Sequence, residues 1–223
     1  MKNRLLTFVA CIALILLIIT ASIGLPIYFR PFYYMQIQDL NLTEETGYTA
    51  EELRASYDQL LDYLTLPGRE FGTGVFPYSE EGKAHFEDCK ILFDLNGILL
   101  LLSATAVLTL HILHRRGRFI PCRPLQKHYS FISGIGTLSL FGLIGALASI
   151  DFDRAFVIFH RIFFPGKDNW LFHPAEDPII LALPETFFLR CGILIISSIL
   201  CISLGLILFA VIRNKAKQST PVA

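Results

Sequence analysis

The sequence predicts an all-α polytopic membrane protein. It would have four transmembrane helices, both termini cytoplasmic, and amphipathic interfacial helices on the outer side. Three observations predict this. The 223 residues are 53% hydrophobic and only 17% charged, with a mean hydropathy of +0.55, more apolar than soluble domains of this length. Four segments, about 5–29, 91–113, 129–150 and 187–212, are each long enough to cross a bilayer, because ~20 residues match a hydrocarbon core of ~30 Å. The net charge of zero conceals an asymmetry. Lys2 and Arg4, the loop HRRGRFIPCRPLQKH and the tail RNKAKQ hold ten Lys or Arg and no acid, while all 19 acidic residues lie in the other two connections or at their membrane edges. The positive-inside rule then puts both termini and the 114–128 loop in the cytoplasm, with connections 30–90 and 151–186 outside. The chain, 1–223, reads as a single membrane domain.

Taken in order, the first span follows a basic start, as a signal peptide would. Its apolar run is too long for one, and cleavage would leave three spans and break the charge agreement. RPFYYMQ after it is an interfacial aromatic cluster. In YTAEELRASYDQLLDYLTLP, Thr49 is an N-cap, Glu52 completes a capping box, and Leu53, Tyr57, Leu60, Leu61 and Leu64 mark one helical face. That helix lies on the membrane or packs over the bundle, and Pro67-Gly68 ends it. KAHFEDCKILFDLNG leads into span two. Span three carries Gly134, Gly136, Ser139, Gly142, Gly145, Ala146 and Ala148, small residues that let membrane helices approach closely. The second outer connection opens with DFDRAFVIFHRIFF, where Phe152, Phe156, Phe159 and Phe163 form one apolar stripe of a surface-lying helix. His160 shares an edge of that stripe. Pro165-Gly166 stops the helix, and NWLFHPAEDPIILALPE returns the chain to span four.

The chain has no GxSxG, Walker loop or Gly-rich dinucleotide motif, which argues against a serine hydrolase or a nucleotide enzyme. No CxxC or His/Cys ligand spacing is present, so no metal and no cofactor is expected, and nothing suggests nucleic acid. The five cysteines read as small apolar residues, with a Cys89–Cys191 disulfide left open. Topology sorts the six histidines. His111, His114 and His128 fall at the cytoplasmic boundary, whereas His85, His160 and His173 face outward. Although 75 positions apart, His85 and His160 both fall within about ten residues of a span, near the same outer interface. Asp88, three residues beyond His85, would stand beside it on a helix and could fix its tautomer. Lys90 and Asp94 are spaced for an i,i+4 pair at the mouth of span two. Arg154 and Arg161 suit a phosphate or carbonyl contact, or snorkelling to headgroups. Trp170, the only tryptophan, suits a membrane belt.

HFEDCKILF at 85–93 and FHRIFFPGKDNWLFHPAEDPIILALPETFF at 159–188 resemble the two signature stretches of the lipoprotein intramolecular transacylase family, four-span membrane proteins of Gram-positive bacteria. The order of spans and the two outer connections fit as well, so the resemblance covers nearly the whole chain. It implies an acyltransferase of the bacterial cell membrane with its active site at the extracellular leaflet. The substrate would be a diacylated lipoprotein within membrane lipid, and the protein a monomer. The reaction moves the sn-2 acyl chain of the diacylglyceryl-cysteine to the cysteine α-amino group, giving the lyso form. The family's essential histidines match His85 and His160. On this reading His85, oriented by Asp88, is general base and acid, and His160 polarises the ester or shares the proton shuttle. Arg154, Arg161, Trp170, Lys90 and Asp94 would contact substrate. Two other readings compete: a non-enzymatic lipid- or partner-binding membrane protein, and an ester hydrolase that would release free fatty acid. A small transporter has little support, since no span carries a charge at its centre.

Overall fold

The computed structural model describes residues 3–122 and 128–218, with the side chains of 213 and 215–218 excepted. Lys2, Arg123 and Lys127, and the side chains of Arg213, Lys215 and Lys217, all counted in the charge asymmetry, lie outside the described residues. Among those described the regular elements are all helices, in the order α1 (Arg4–Tyr28), α2 (Pro31–Asp39), α3 (Leu42–Thr46), α4 (Ala50–Thr65), α5 (Glu80–Arg115), α6 (Tyr129–Ala148), α7 (Phe152–Phe163), α8 (Ile179–Ala182) and α9 (Glu185–Gln218). One isolated bridge joins Asn3 and Pro121. Four helices are long and apolar enough to cross a membrane: Arg4–Tyr28, Glu80–Arg115, Tyr129–Ala148 and Glu185–Ile212.

The second of these starts at Glu80, well before the apolar run that begins at 91. Ser79 explains the early start. Its hydroxyl accepts from Gly82 N at 2.9 Å, as a helix N-cap does, and Glu80 and Glu81 occupy the first turn, where the helix dipole favours anions. His85, Asp88, Lys90 and Asp94 therefore stand on the opening turns of a long helix rather than in a loop.

Two compact units are distinguished. The first comprises residues 1–23, 97–147 and 194–223. In it α6 buries Ser130, Ser133, Gly134 and Thr137. A Cβ on Gly134 would meet Ser203 O and Ile207 Cγ1 at 2.9 Å, and one on Gly145 would meet Ile196 Cγ2 at 3.0 Å, whereas Gly136 and Gly142 have nothing within 4 Å. Close helix approach thus uses two of the four glycines the sequence flagged, and hydroxyls supply the rest of the buried face. Ser133 Oγ donates to Cys11 O at 3.3 Å and Thr137 Oγ1 to Ser133 O at 2.8 Å, so neither hydroxyl is buried unpaired.

The second unit comprises residues 24–96 and 148–193. The Thr49–Glu52 capping box forms as expected, and α4 buries Leu53, Ser56, Tyr57, Leu60, Leu61 and Leu64. The Tyr57 ring stacks on Tyr33 at 3.9 Å and meets Phe187 edge-on, and Tyr33 donates to Ala182 O at 3.1 Å. Arg30 binds Asp58 at 3.1 Å and also Asp62. The apolar face of α4 is therefore buried in the core of this unit. All five cysteines are free thiols, Cys89 and Cys191 included.

Candidate active site

The second unit brings together the two histidines that the sequence singled out. His85 stands on α5 and His160 on α7, 8% and 6% exposed, with ring centroids 5.9 Å apart. The reason lies in how α7 presents its faces. Asp151 caps the helix by accepting from Arg154 N at 2.9 Å. Phe152 and Phe156 are half-buried and His160 and Phe164 buried, while Ile158, Phe159, Ile162 and Phe163 are exposed. The stripe 152–156–159–163 expected from the sequence is thus divided. Steps of four turn inward and carry His160 with them; Phe159 and Phe163 point outward.

Aromatic rings wall the pair. Phe164 lies 5.0 Å from His85 and 5.7 Å from His160, and Phe172 meets His85 edge-on at 5.5 Å. Phe156 lies 4.2 Å from His160, and Trp170 stacks on it at 4.5 Å with planes 25° apart. Trp170 is fixed in turn by donating its Nε1–H to Lys167 O at 3.0 Å.

Hydrogen bonds set the ring protons. His160 Nδ1 lies 2.8 Å from Phe156 O. A carbonyl only accepts, so Nδ1 carries the proton and Nε2 keeps its lone pair. Burial pushes the His160 imidazole below its ordinary value, and the bond to the Phe156 carbonyl opposes this without cancelling it, so the neutral ring prevails at neutral pH. His85 is held differently. Its Nε2 faces Cys89 Sγ at 3.4 Å, one helical turn away, and its Nδ1 is buried with no partner among the described residues.

Asp88 does not hold His85. Its Oδ1 accepts from Lys167 Nζ at 2.6 Å and its Oδ2 from Asn169 Nδ2 at 3.2 Å. The tautomer-fixing bond expected from the i,i+3 spacing is therefore replaced by a tie to the loop after α7. Ser79 and Asp177 make a second tie. Asp177, 4% exposed, accepts from Ser79 N at 2.8 Å and Ser79 Oγ at 2.7 Å, and a Cβ on Gly82 would lie 2.2 Å from its Oδ1.

Of the sequence-predicted residues, His85, His160, Asp88 and Trp170 converge. Arg154 and Arg161 are exposed and enter no ion pair among the described residues. Lys90 Nζ donates to Tyr63 O at 2.7 Å, near the C-terminal end of α4, and lies 3.7 Å from Asp94. None of these four makes a hydrogen bond or ring contact with either histidine. His173 is exposed and accepts from Ala175 N at 3.3 Å in a turn. The sequence reading passed over Phe164, Phe172, Lys167, Asn169 and Asp177. The signal available for Lys167 and Asn169 was their place in PGKDNW, a polar cluster beside the only tryptophan.

Such a site can move a proton. One imidazole offers a lone pair and a second lies close by, in apolar walls with no metal-like cluster of His, Cys, Asp or Glu among the described residues. The model of the lipoprotein intramolecular transacylase Lit family matches residues 8–188. A solved structure of the membrane integral lipoprotein intramolecular transacylase Lit from Bacillus cereus is similar over 97% of both chains, with a TM-score of 0.85 and 25% identity. Structures of that protein with the H85R and H85A mutations give TM-scores of 0.77 and 0.78 at 24% identity. They cover 96% and 97% of this chain, and 92% and 95% of theirs. No curated protein matches the chain.

Proposed function

Because the chain belongs to the lipoprotein intramolecular transacylase family, and so is a multi-pass membrane acyltransferase, we propose that it moves the sn-2 acyl chain of a diacylglyceryl-cysteine lipoprotein to the cysteine α-amino group, with His160 as base. The amine nitrogen attacks the ester carbonyl carbon and gives up a proton. The tetrahedral centre then breaks its bond to the glycerol oxygen, and that oxygen takes a proton. No atom is gained or lost.

The observation that carries the reading is the His160 Nδ1 bond to Phe156 O at 2.8 Å, which leaves Nε2 free to accept. An α-amino group has a pKa of ~8 and is mostly protonated at pH 7, so a base is needed, and a neutral imidazole is suited to it. His85 takes the complementary part. With the Cys89 thiol donating to Nε2, Nδ1 carries the ring proton and donates a hydrogen bond to the carbonyl oxygen as charge develops on it, while the proton that His160 takes from the amine is the one passed to the leaving alkoxide. This reverses the division of roles expected from the sequence. Amine and ester belong to one molecule, so proximity is built in and offsets ~7 kcal/mol or more of the barrier. Solved Bacillus cereus Lit variants at a histidine numbered 85 support a functional interest in such a position.

We also propose that both termini are cytoplasmic, and that the site opens to the outer leaflet. The supports are the charge distribution and the exposed Ile158, Phe159, Ile162 and Phe163 of α7, a face suited to lying among lipids. The test is the intact mass and fragment spectrum of a diacylated lipopeptide before and after incubation with the protein in detergent. The expected result is unchanged mass with one acyl group on the cysteine nitrogen. Loss of one fatty acid would mean hydrolysis, and no change would favour the non-enzymatic reading.

A further inference from the structure

Asn169 has a side chain only half accounted for. Its Nδ2 donates to Asp88 Oδ2 at 3.2 Å, and a carboxylate only accepts, so the amide cannot be turned the other way. Oδ1 is thereby aimed away from Asp88, and it is buried with no donor among the described residues. Buried acceptors are almost always paired, and the exceptions call for an explanation, such as a group supplied from outside. Asn169 is followed by Trp170, whose ring stacks on His160 at 4.5 Å, so the residue with the unmet acceptor directly precedes one that touches the ring carrying the lone pair. His85 Nδ1 is the other unpartnered atom here.

We propose that Asn169 receives the α-amino group of the substrate's N-terminal cysteine, its Oδ1 accepting one of that amine's N–H bonds. The assignment rests on the acyl-transfer reading above and names how that site holds the nucleophile. A diacylglyceryl thioether has no free hydroxyl before reaction, so the donors near the reacting ester are the amine and the first peptide N–H. A neutral amide is the right acceptor for a nucleophile that must lose a proton. A bare carboxylate in its place would stabilise the ammonium and hold the proton on it. Asp88 is kept from that role because Lys167 and Asn169 already occupy its oxygens. Its carboxylate instead fixes the amide, and Asp88 is a positioning residue.

The experiment measures binding of two unreactive dialkyl-ether lipopeptides to the full-length protein in detergent. One has the free α-amine and the other has hydrogen in its place. Wild type is expected to prefer the amine by about tenfold or more, the strength of a hydrogen bond to a charged or ionisable group. Asn169→Ala should bind the desamino analogue as wild type does and lose that preference. An unchanged preference in Asn169→Ala overturns the proposal, as does a wild type that binds both alike. If Asn169→Ala binds neither, Asn169→Gln decides by the same comparison, since it keeps an amide but displaces it by one methylene. The readout needs no turnover. A wild type that transfers acyl groups while Asn169→Ala keeps its preference overturns only the Asn169 assignment, and a wild type that fails to transfer overturns the acyl-transfer reading.

Discussion

Lys167 Nζ lies 2.6 Å from Asp88 Oδ1, joining residues 79 positions apart. The bond ties the loop after α7 to the opening turns of α5, and so ties the segment that carries Trp170 and follows His160 to the helix that bears His85. As an ion pair it is modest, because the Lys167 side chain is 49% exposed and half-exposed pairs contribute about 1 kcal/mol or less. Its importance is geometric.

Asp88→Asn should therefore separate activity from stability. It should lower stability by about 1 kcal/mol or less, yet slow transfer by up to ~10²-fold, since small misplacements near reacting groups are costly. Transfer rate and thermal unfolding, measured on one detergent preparation, check this.

Trp170→Phe should keep most of the activity, because a ring still covers His160. Trp170→Ala removes the stack, a contact of about 0.5–1.5 kcal/mol beyond area burial, and should slow transfer at least several-fold more than the phenylalanine variant. Rates with one lipopeptide at saturating concentration make the comparison.

Acid should act on both activity and stability through His160. Its folded value is depressed by burial, whereas the unfolded chain titrates near the ordinary ~6.5. The unfolded state therefore takes up a proton first as pH falls. The stability due to the neutral buried ring is complete above the unfolded value and is lost as pH falls through it toward the folded one. Transfer should fall over the same acidic range as Nε2 loses its lone pair. Unfolding midpoints between neutral pH and pH ~5 check this, and the dependence should become shallower in His160→Gln, where the buried His85 remains.

Asp177→Ala leaves Ser79 N and Oγ without their buried acceptor and should cost about 1–3 kcal/mol. Thermal unfolding reads the loss directly. Asp177→Asn keeps one acceptor oxygen and should lie between wild type and the alanine variant.

Much of this architecture could be read from the sequence because it rests on local rules. Apolar length marks the spans, and the Thr49–Glu52 capping box with leucines at helical spacing marks α4. The convergence of His85 and His160 was also legible, since each lies within about ten residues of an apolar segment and the charge distribution predicts both connections on one side. What could not be read depends on partners distant in sequence. Spacing alone offers Asp88 to His85, but Lys167 and Asn169 compete for the same oxygens. Helical periodicity groups Phe159 with Phe156, and only packing decides that one turns out and the other in. The roles proposed for the histidines rest on a single backbone carbonyl, that of Phe156, which no side-chain pattern reports.

The most direct test of the account is the rate of N-acylation by His160→Gln, followed by fragment mass spectrometry on a diacylated lipopeptide, with folded protein matched to wild type. Loss of a general base costs ~10²–10⁴-fold, and the account predicts a fall in that range with no free fatty acid released. A rate equal to that of wild type would contradict it.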